Sequence, residues 1–247
     1  MKKGIYTIAV LLICIVTANA QADYKMYIQI MLEPKLDQIS LFEKNLAEHN
    51  KKYHSGGFMH ADVWTILSGS NSGKYAAFMG PLTYSDFDGL EENKGHDADW
   101  NDNVLALCSE VSEMEWWRYN EELSYAPEGS QSGKDVFRVY DITRGQLYRF
   151  EEVLKKVVAV YKAKSYPEYF AVYYNEFASN SNRDVAFSRS FKTWASLDEK
   201  SNFKKDFEEV HGEGSWSTFI EEYQASFNSY EDELSVLAPH LSGGESE

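Results

Sequence analysis

Cysteine and proline are scarce in this sequence. Among its 247 residues there are two cysteines, Cys14 and Cys108, and only five prolines. Two cysteines cannot form the set of disulfides that holds a small secreted scaffold together. With 15 glycines as well, the chain lacks the composition of fibrous or low-complexity proteins. Both of these classes are therefore excluded.

Positive charge is also in short supply. Lys and Arg number 24 against 39 Asp and Glu, which gives a formal net charge of −15. Such an excess of acid disfavours binding to nucleic acids and to anionic membranes, because both require basic patches. Hydrophobic residues make up 43% of the chain and aromatic residues 15%, which is enough for a folded core. The composition predicts an acidic globular protein with no nucleic-acid partner.

The first 20 residues have the pattern of a secretory signal peptide. Lys2 and Lys3 precede an apolar run over residues 5–16, and Ala18 and Ala20 provide the small residues of a cleavage site. The run is shorter than the roughly 20 apolar residues that span a bilayer. We therefore expect export to the periplasm or the extracellular space, with no membrane attachment after cleavage.

The rest of the chain consists of two similar halves. Residues 119–124 read YNEELS and are followed by an Ala-Pro pair, and residues 230–235 read YEDELS and are also followed by Ala-Pro. This repeat is typical of a duplicated domain. The boundaries it predicts are a signal peptide at 1–20, a first domain at 21–127, a linker at 128–134, a second domain at 135–240 and a tail at 241–247.

Both halves have the same predicted order of elements. An alternating strand, at 26–32 and 137–140, precedes a helix with one apolar stripe. A hairpin, a second helical region and a short final strand follow, the last ending near Tyr119 and Tyr230. The order β-α-β-β-α-β is that of a ferredoxin-like domain. We expect an α+β protein with two tandem ferredoxin-like domains packed sheet to sheet as an intrachain pseudo-dimer, and therefore a monomer.

On this element order and repeat, the sequence resembles the dimeric alpha-beta barrel superfamily in a tandem, exported form. The superfamily includes antibiotic-biosynthesis-type monooxygenases, haem-degrading monooxygenases, chlorite dismutase-like haem enzymes and NIPSNAP-like proteins. The resemblance implies a ligand placed in the barrel interior or between sheet and helices. It includes no catalytic signature, and a fold alone does not fix a function.

The strand that begins the first hairpin has the most polar residues predicted to face the interior. His60 and Asp62 alternate onto the same face as Trp64, and Tyr27 and Gln29 of the first strand would share that face. His60 and Asp62 are the candidate catalytic residues, because they could act as an acid–base pair beside aromatic walls. The same polar groups could instead satisfy one another in an interface between the halves.

Further ligand-binding residues are predicted on the other strands. They are Arg118, Arg138, Tyr140, Tyr174 and Arg189. Arg138 and Arg189 would suit an anionic ligand such as a carboxylate. They could equally form ion pairs with acidic residues of the first half.

No metal or cofactor site is predicted. His96 and Asp99 would share a helix face, but capping of that helix by Asp97 or Asp99 explains the acidic residues. A haem would need an axial histidine, and neither His96 nor His211 lies in an apolar stretch. Cys108 lies in an apolar run and is expected to be a core residue.

The sequence favours a secreted or periplasmic protein that binds a small organic ligand, or interacts with a partner, through an aromatic-lined interior. The alternative is a cofactor-independent monooxygenase-like enzyme acting on a small aromatic substrate. In that case His60 and Asp62 would move a proton while Tyr27 and Trp64 position the substrate. No nucleophile elbow, phosphate-binding loop or metalloprotease motif is present, so whether the protein is an enzyme stays open.

Overall fold

A computed structural model describes residues 24–130, 132–177 and 182–244. The predicted signal peptide at 1–20 lies outside these residues. None of the described helices is long and apolar enough to cross a membrane.

Within these described ranges, nine antiparallel strands form one continuous sheet. Their order is β3-β2-β9-β6-β8-β7-β5-β1-β4, and β3 also pairs with β1. Eight strands therefore close into a barrel, and β4 extends the sheet outside β1. The strands are β1 (Met26–Pro34), β2 (Ala61–Ile66), β3 (Tyr75–Leu82), β4 (Cys108–Val111), β5 (Glu115–Tyr125), β6 (Lys134–Ile142), β7 (Phe170–Asn175), β8 (Val185–Ser190) and β9 (Phe227–Leu237).

Alternating residues give each strand an inner and an outer face. In β1, Met26 and Ile28 are buried on the outer side, whereas Tyr27 and Gln29 face the lumen of the barrel. Opposite them in β3, Gly80 has a φ of +142° and lies so close to Met26 that a Cβ there would meet its carbonyl oxygen at 2.7 Å. A glycine is therefore required where these two strands approach.

Among the residues described, six helices cover the outside of the barrel. They are α1 (Ile39–Tyr53), α2 (Ser85–Asp88), α3 (Lys94–Asp99), α4 (Leu147–Lys164), α5 (Phe203–His211) and α6 (Ser215–Ala225). The apolar stripes predicted for α1 and α4 are confirmed, since Phe42 and Leu46 of α1 and Phe150 of α4 are fully buried against the sheet. Phe207 of α5 and Phe219 of α6 pack on the far side of α4.

The second helical region of each half is interrupted. In the first half, α3 runs into a π-helical turn and a short 3₁₀ turn before β4 begins at Cys108. In the second half, Gly212 and Gly214 both have positive φ and separate α5 from α6. The second helical region predicted for each half therefore consists of several short helical segments.

The predicted packing of two separate ferredoxin-like sheets is wrong. Two cross-half pairings, β2 with β9 and β5 with β7, join the strands of the halves into one closed sheet. The final strands were expected to end near Tyr119 and Tyr230, but β5 continues to Tyr125 and β9 to Leu237. Their additional residues hydrogen-bond to strands of the opposite half, and this pairing removes the sheet edges that separate sheets would leave open.

The C-terminal segment returns to the first half of the chain. Leu241 is 1% exposed and packs against the core beneath α1. The Val63 N–H donates to Ser242 Oγ at 3.0 Å, and Asn50 Nδ2 donates to the Leu241 carbonyl at 2.7 Å. The C-terminal segment therefore packs against both α1 and β2 and links them.

Candidate ligand-binding site in the barrel lumen

The lumen of the barrel contains a cavity of about 410 Å³. This volume lies within the range of small-molecule binding sites. The rings of seven Phe, Tyr and Trp residues line the cavity, together with polar side chains. The lining residues are Tyr27, Gln29, His60, Asp62, Trp64, Ile66, Ala76, Phe78, Gly80, Pro81, Trp117, Ser132, Asp135, Phe137, Tyr169, Tyr173, Ser188, Ser190, Glu233 and Ser235.

Gln29 is the most unusual polar residue in this wall. Its side chain is 1% exposed, and neither Oε1 nor Nε2 has a hydrogen-bond partner among the described residues. An amide cannot reduce the cost of burial by changing its protonation state, so each unpaired group costs about 1–3 kcal/mol. Both hydrogen-bonding ends of the Gln29 amide are thus left unsatisfied in a residue that lines the cavity.

His60, which directly precedes β2, and Asp62, on β2, lie next to each other, as the sequence predicts. His60 Nε2 is 3.4 Å from Asp62 Oδ1, within ion-pair distance but without hydrogen-bond geometry. The His60 side chain is mostly buried, whereas that of Asp62 is 39% exposed. His60 therefore lies on the buried side of this pair, and Asp62 lies on the side that is open to solvent.

Asp135 places a second carboxyl group in the lumen, from β6. Its Oδ2 accepts a hydrogen bond from Ser188 Oγ at 2.7 Å, and its Oδ1 has no partner within the described ranges. Burial raises the pKa of Asp135 to about 6, against the weaker lowering effects of Ser188 and Arg189. A carboxyl group with this pKa can accept or release a proton near neutral pH.

Glu233 contributes a third carboxyl group, from β9. Its Oε1 accepts from Asn71 Nδ2 at 2.6 Å and from Arg183 Nη1 at 3.2 Å, while Oε2 lacks a partner in the described part of the chain. The Arg183 guanidinium also donates through Nε to Glu115 at 2.6 Å. This buried network links β5 and β9 and leaves one acceptor of Glu233 free.

The electrostatic character of the lumen is acidic. Asp62, Asp135 and Glu233 line it, and no Lys or Arg is among the lining residues that the structure describes. Burial raises the pKa of Tyr27 and raises that of Tyr169 to about 12, so both phenols stay protonated. The wall therefore offers mainly acceptors, together with phenol and amide donors.

The aromatic rings of the wall meet edge to face. The ring of Tyr27 lies 5.8 Å from that of Tyr173, and Phe137 lies 6.1 Å from Trp117 and 6.0 Å from Phe78. These separations and angles match favourable aromatic pairs. The rings form a rigid apolar surface between the polar groups.

The structure brings five of the predicted site residues together in the lumen: Tyr27, Gln29, His60, Asp62 and Trp64. All five come from β1 and β2 or the residue just before β2. The other five, predicted on the remaining strands, lie on the outer side of the barrel.

The outward residues have partners of their own. Arg118 donates to Glu176 at 2.5 and 2.6 Å, and its guanidinium covers the ring of Tyr24. Arg138 makes a two-point contact with Asp232, at 2.6 and 2.7 Å. These contacts belong to the surface outside the barrel rather than to the lumen.

The remaining outward residues lie beneath or beside the helices of the second half. Tyr140 hydrogen-bonds to Tyr223 at 2.9 Å, and Tyr174 donates to Glu151 of α4 at 3.0 Å. Arg189 is exposed at the edge of a cleft between the barrel and the helices. None of the three lines the lumen.

The second-half strands thus present the face opposite to the one predicted. In β6 the inner residues are Asp135 and Phe137, not Arg138 and Tyr140. A one-residue change of register moves every side chain of a strand to the other face. A comparison of β6 with β1, the first strand of the other half, identifies the inner face. Met26 and Ile28 of β1 are buried on the outer side of the barrel, and Arg138 and Tyr140 of β6 also face outward.

Sequence reasoning also missed lumen residues that do not share a local pattern. They are Trp117, Asp135, Tyr169, Tyr173, Ser188, Ser190, Glu233 and Ser235. Ser188, Ser190 and Ser235 are small residues that leave room for the cavity.

The comparisons with known proteins identify a fold but no family. No protein-family model matches the chain, and no curated protein matches it in sequence. Among solved structures, an anthrone oxidase-like protein is 12% identical, with a TM-score of 0.54 over 91% of this chain and 95% of that one.

Two further solved structures are similar at the same level. A proposed monooxygenase from Lactobacillus acidophilus NCFM is 11% identical, with a TM-score of 0.53 over 89% of this chain and 97% of its own. A chlorite dismutase from Candidatus Nitrospira defluvii, in complex with imidazole, is 9% identical, with a TM-score of 0.54 over 88% of this chain and 93% of its own. At such identities the similarity establishes the fold alone.

These neighbours correct the resemblance drawn from the sequence. The chain is similar in structure to chlorite dismutase-like and monooxygenase-like proteins, and it forms a closed eight-stranded barrel. It is not a tandem ferredoxin-like form of the dimeric alpha-beta barrel. The element order is compatible with both arrangements, and only the strand pairing between the halves distinguishes them.

The residues present do not fit a histidine-ligated haem in the second-half cleft. This cleft, of about 600 Å³, lies between the barrel and α4 to α6, and no His, Cys or Met lines it in the part of the chain described. His211 is directed to α4, where its Nε2 lies 3.0 Å from the Lys156 carbonyl oxygen. The usual axial ligand is therefore missing from this position.

Proposed function

We propose that the barrel lumen binds a small aromatic molecule that is neutral or cationic and carries hydrogen-bond donors. The observation that supports this most directly is the buried Gln29 amide, which has no partner among the described residues and borders a cavity of about 410 Å³. A ligand with a polar end would satisfy the amide and recover its desolvation cost.

The charge of the lumen favours donors over acceptors on the ligand. Asp135 Oδ1 and Glu233 Oε2 are buried acceptors that lack partners within the described ranges. An anionic ligand would face three carboxyl groups without a cationic side chain in the wall, which costs free energy in a low-dielectric site. An ammonium or hydroxyl group would meet complementary acceptors instead.

The aromatic wall favours a ring on the ligand. The rings of Trp64 and Trp117 border the cavity from opposite strands of the first half, and Phe137 closes it from the second. Planar ligands gain from stacking or edge contacts with such walls. We propose that binding takes place after export, in line with the signal pattern at 1–20.

Three probes with one carbon skeleton test the charge preference. Phenethylamine, phenethyl alcohol and phenylacetate differ only in the group at the end of the side chain. Isothermal titration of the full chain should give the tightest binding for the amine, weaker binding for the alcohol and none for the acid. Preference for phenylacetate would contradict the proposal.

A variant tests whether the lumen is the place of binding. Gln29→Leu replaces the amide by an apolar side chain of similar size, and we expect at least a tenfold loss of phenethylamine affinity, the size of one net hydrogen bond to a charged group. Gln224→Leu is the matched control, because Gln224 is exposed on α6. Equal losses in the two variants would place the binding outside the lumen.

A second candidate function is a monooxygenase-like enzyme acting on an aromatic substrate. Two observations favour it: the pKa of Asp135 is raised to about 6 inside the cavity, and similar solved structures include an anthrone oxidase-like protein and a proposed monooxygenase. Asp135 or His60 would then accept a proton from an acidic C–H or O–H group of the substrate.

Oxygen consumption tests this second candidate. Anthrone is the probe, since it belongs to the substrate class in the name of one structural neighbour. We expect protein-dependent oxygen uptake that falls at least a hundredfold in Asp135→Asn, the scale of a lost general base. Uptake equal to that of buffer would leave small-molecule binding as the function that the geometry supports.

A further inference from the structure

Three histidines converge on the outer side of the barrel, away from the lumen. His49 lies in α1, His54 directly follows that helix, and His96 lies in α3. Their ring centroids are 5.0 to 5.2 Å apart, and one ring nitrogen from each lies within 4.8 Å of one from each of the others. His49 and His54 are buried, and the His96 side chain is 27% exposed.

The Nδ1 atom of every ring in this trio is occupied by an oxygen that can only accept. Carboxylate and carbonyl oxygens fix the proton on Nδ1, so in the neutral ring the lone pair lies on Nε2. The three contacts are His49 Nδ1 with Asp99 Oδ2 at 2.7 Å, His54 Nδ1 with the Met59 carbonyl at 2.9 Å, and His96 Nδ1 with Asp97 Oδ1 at 2.9 Å.

The free Nε2 atoms therefore bring lone pairs together. His54 Nε2 and His96 Nε2 are 3.2 Å apart, and His49 Nε2 is buried with no partner in the described part of the chain. Lone pairs at this distance repel each other unless a positive charge lies between them. Two imidazoles on a tetrahedral zinc ion have nitrogens about 3.4 Å apart, given Zn–N bonds of about 2.0–2.1 Å.

We propose that His49, His54 and His96 bind a divalent transition-metal ion of the Zn²⁺ type through their Nε2 atoms. Among the residues described, no fourth His, Cys, Asp or Glu joins the group, so water would complete a tetrahedral site. The partly exposed His96 gives the ion its route from solvent. Asp97 and Asp99 orient the rings, as carboxylates do behind zinc-bound histidines.

A shared proton is the competing explanation for the close nitrogens of His54 and His96. Such a proton would join only these two rings and would leave His49 Nε2, which is buried without a partner among the described residues, unsatisfied. A metal ion bound by all three rings accounts for all three nitrogens.

The acidic residues near His96 have a different role from the one expected from the sequence. The N-cap of α3 is Asn93, whose side chain accepts from the His96 N–H at 3.1 Å. The prediction that Asp97 or Asp99 caps α3 is therefore wrong. Both carboxylates bind histidine rings instead, and Asn103 Nδ2 holds the second oxygen of Asp99 at 2.8 Å.

Zinc binding by the full chain tests the proposal. After removal of bound metal with a chelator, the chain is titrated with zinc chloride in competition with a chromophoric chelator, which reports stoichiometry and Kd. We expect one Zn²⁺ per chain and a weakening of at least a hundredfold in His96→Ala, since loss of a ligand exceeds the 10–100-fold effect of losing an orienting group. Co²⁺ in the same site should give the intense visible bands of tetrahedral coordination.

Two further variants make the test specific. Asp99→Asn keeps all three ligands and should bind Zn²⁺ about 10–100-fold more weakly. His240→Ala removes an exposed histidine outside the trio and should bind as the wild type does. Far-UV circular dichroism checks that each variant is folded. Absence of stoichiometric zinc binding by the wild type, or unchanged affinity in folded His96→Ala or Asp99→Asn, would overturn the proposal.

Discussion

At position 29, the polar side chain that we expect to favour ligand binding is also expected to lower the stability of the fold. Both ends of its amide lack a partner among the described residues, although the side chain is 1% exposed. Replacement by an apolar side chain of similar size removes the unpaired polar group without opening a cavity. The same change that weakens binding should therefore strengthen the fold.

We predict that Gln29→Leu raises the free energy of unfolding by about 1–3 kcal/mol in the absence of ligand. Urea denaturation, followed by tryptophan fluorescence, measures the change. The exposed control Gln224→Leu should stay within about 0.5 kcal/mol of the wild type. A Gln29→Leu protein less stable than the wild type would show that the amide has partners in solution.

Asp135 makes stability depend on pH. Its pKa is raised from 3.8 to about 6 by burial, so between these values the folded protein holds a proton that the unfolded chain has lost. Stability therefore falls as pH rises through this window, by at most about 3 kcal/mol at about 1.4 kcal/mol for each pH unit between the two pKa values.

We expect Asp135→Asn to raise the free energy of unfolding at pH 7.5 by about 1–3 kcal/mol and by clearly less at pH 4.5, because only the ionised carboxylate is costly to bury. Ser188→Ala should move the decline of stability to higher pH, since the Ser188 hydrogen bond lowers the pKa of Asp135. Urea denaturation across this pH range measures both effects. An unchanged pH profile in Asp135→Asn would rule out this carboxyl as the cause.

At the residue scale, sequence periodicity identified the lumen side chains of β1 and of residues 60–64, and it misassigned those of β5 and of the second half. His60 and Asp62 alternate with strongly apolar neighbours, so their face follows from the pattern alone. In β6 both faces contain aromatic or aliphatic side chains, and the polar Arg138 was placed inward. Its partner Asp232 lies on β9, and no local pattern reveals that contact.

At the element scale, the C-terminal segment is hydrogen-bonded to β2 of the first half. Residues 238–243 follow β9, and the Ala238 N–H donates to the Val63 carbonyl at 2.7 Å. The Gly243 N–H donates to the Ala61 carbonyl at 2.9 Å. The segment thus occupies the backbone groups of β2 that would otherwise form a free sheet edge.

We predict that Leu241→Ala lowers the free energy of unfolding by about 2–5 kcal/mol, the usual cost of truncating a buried leucine. Leu241 is 1% exposed in the core beneath α1. Leu36→Ala is the matched control, since Leu36 is 91% exposed, and it should have little effect. Thermal and urea denaturation measure both variants, and equal effects would mean that the segment is detached in solution.

Elements were easier to predict from the sequence than their limits. Except for β4, which lies at the end of the predicted second helical region, the strands and the helices α1 and α4 lie where the residue patterns place them, because period-2 and period-3.6 alternation arise from neighbouring residues. The ends of β5 and β9 were missed, since the residues beyond Tyr119 and Tyr230 are charged as well as apolar. Their strand conformation is stabilised by pairing with β7 and β2, which lie in the other half.

At the scale of the whole molecule, the barrel depends on both halves at once. The sheet closes into a barrel only through two pairings between the halves, that of β2 with β9 and that of β5 with β7. The largely buried Arg183 of the second half adds a side-chain contact across this boundary to Glu115 of β5, and it also contacts Glu233 of β9 in its own half. Neither half can therefore lose its structure without exposing two strand edges of the other.

We expect one cooperative unfolding transition for the described chain. Urea curves followed by far-UV circular dichroism and by tryptophan fluorescence should coincide, because both halves contribute to one closed sheet. Trp117 of the first half and Trp216 of the second report on different regions. Two separated transitions would indicate that the halves unfold independently.

The sequence by itself determined the acidic composition, the internal repeat, the approximate elements and the lumen-facing residues of β1 and of the segment 60–64. These features depend on composition or on residues close together in the chain, where local periodicity specifies which side chain faces which way. The tertiary structure alone decided the closure of the barrel, the inner face of the second half and the meeting of His49, His54 and His96. Those features require contacts between residues far apart in sequence, such as Val63 with Ser242, and such contacts form only when the whole sheet closes.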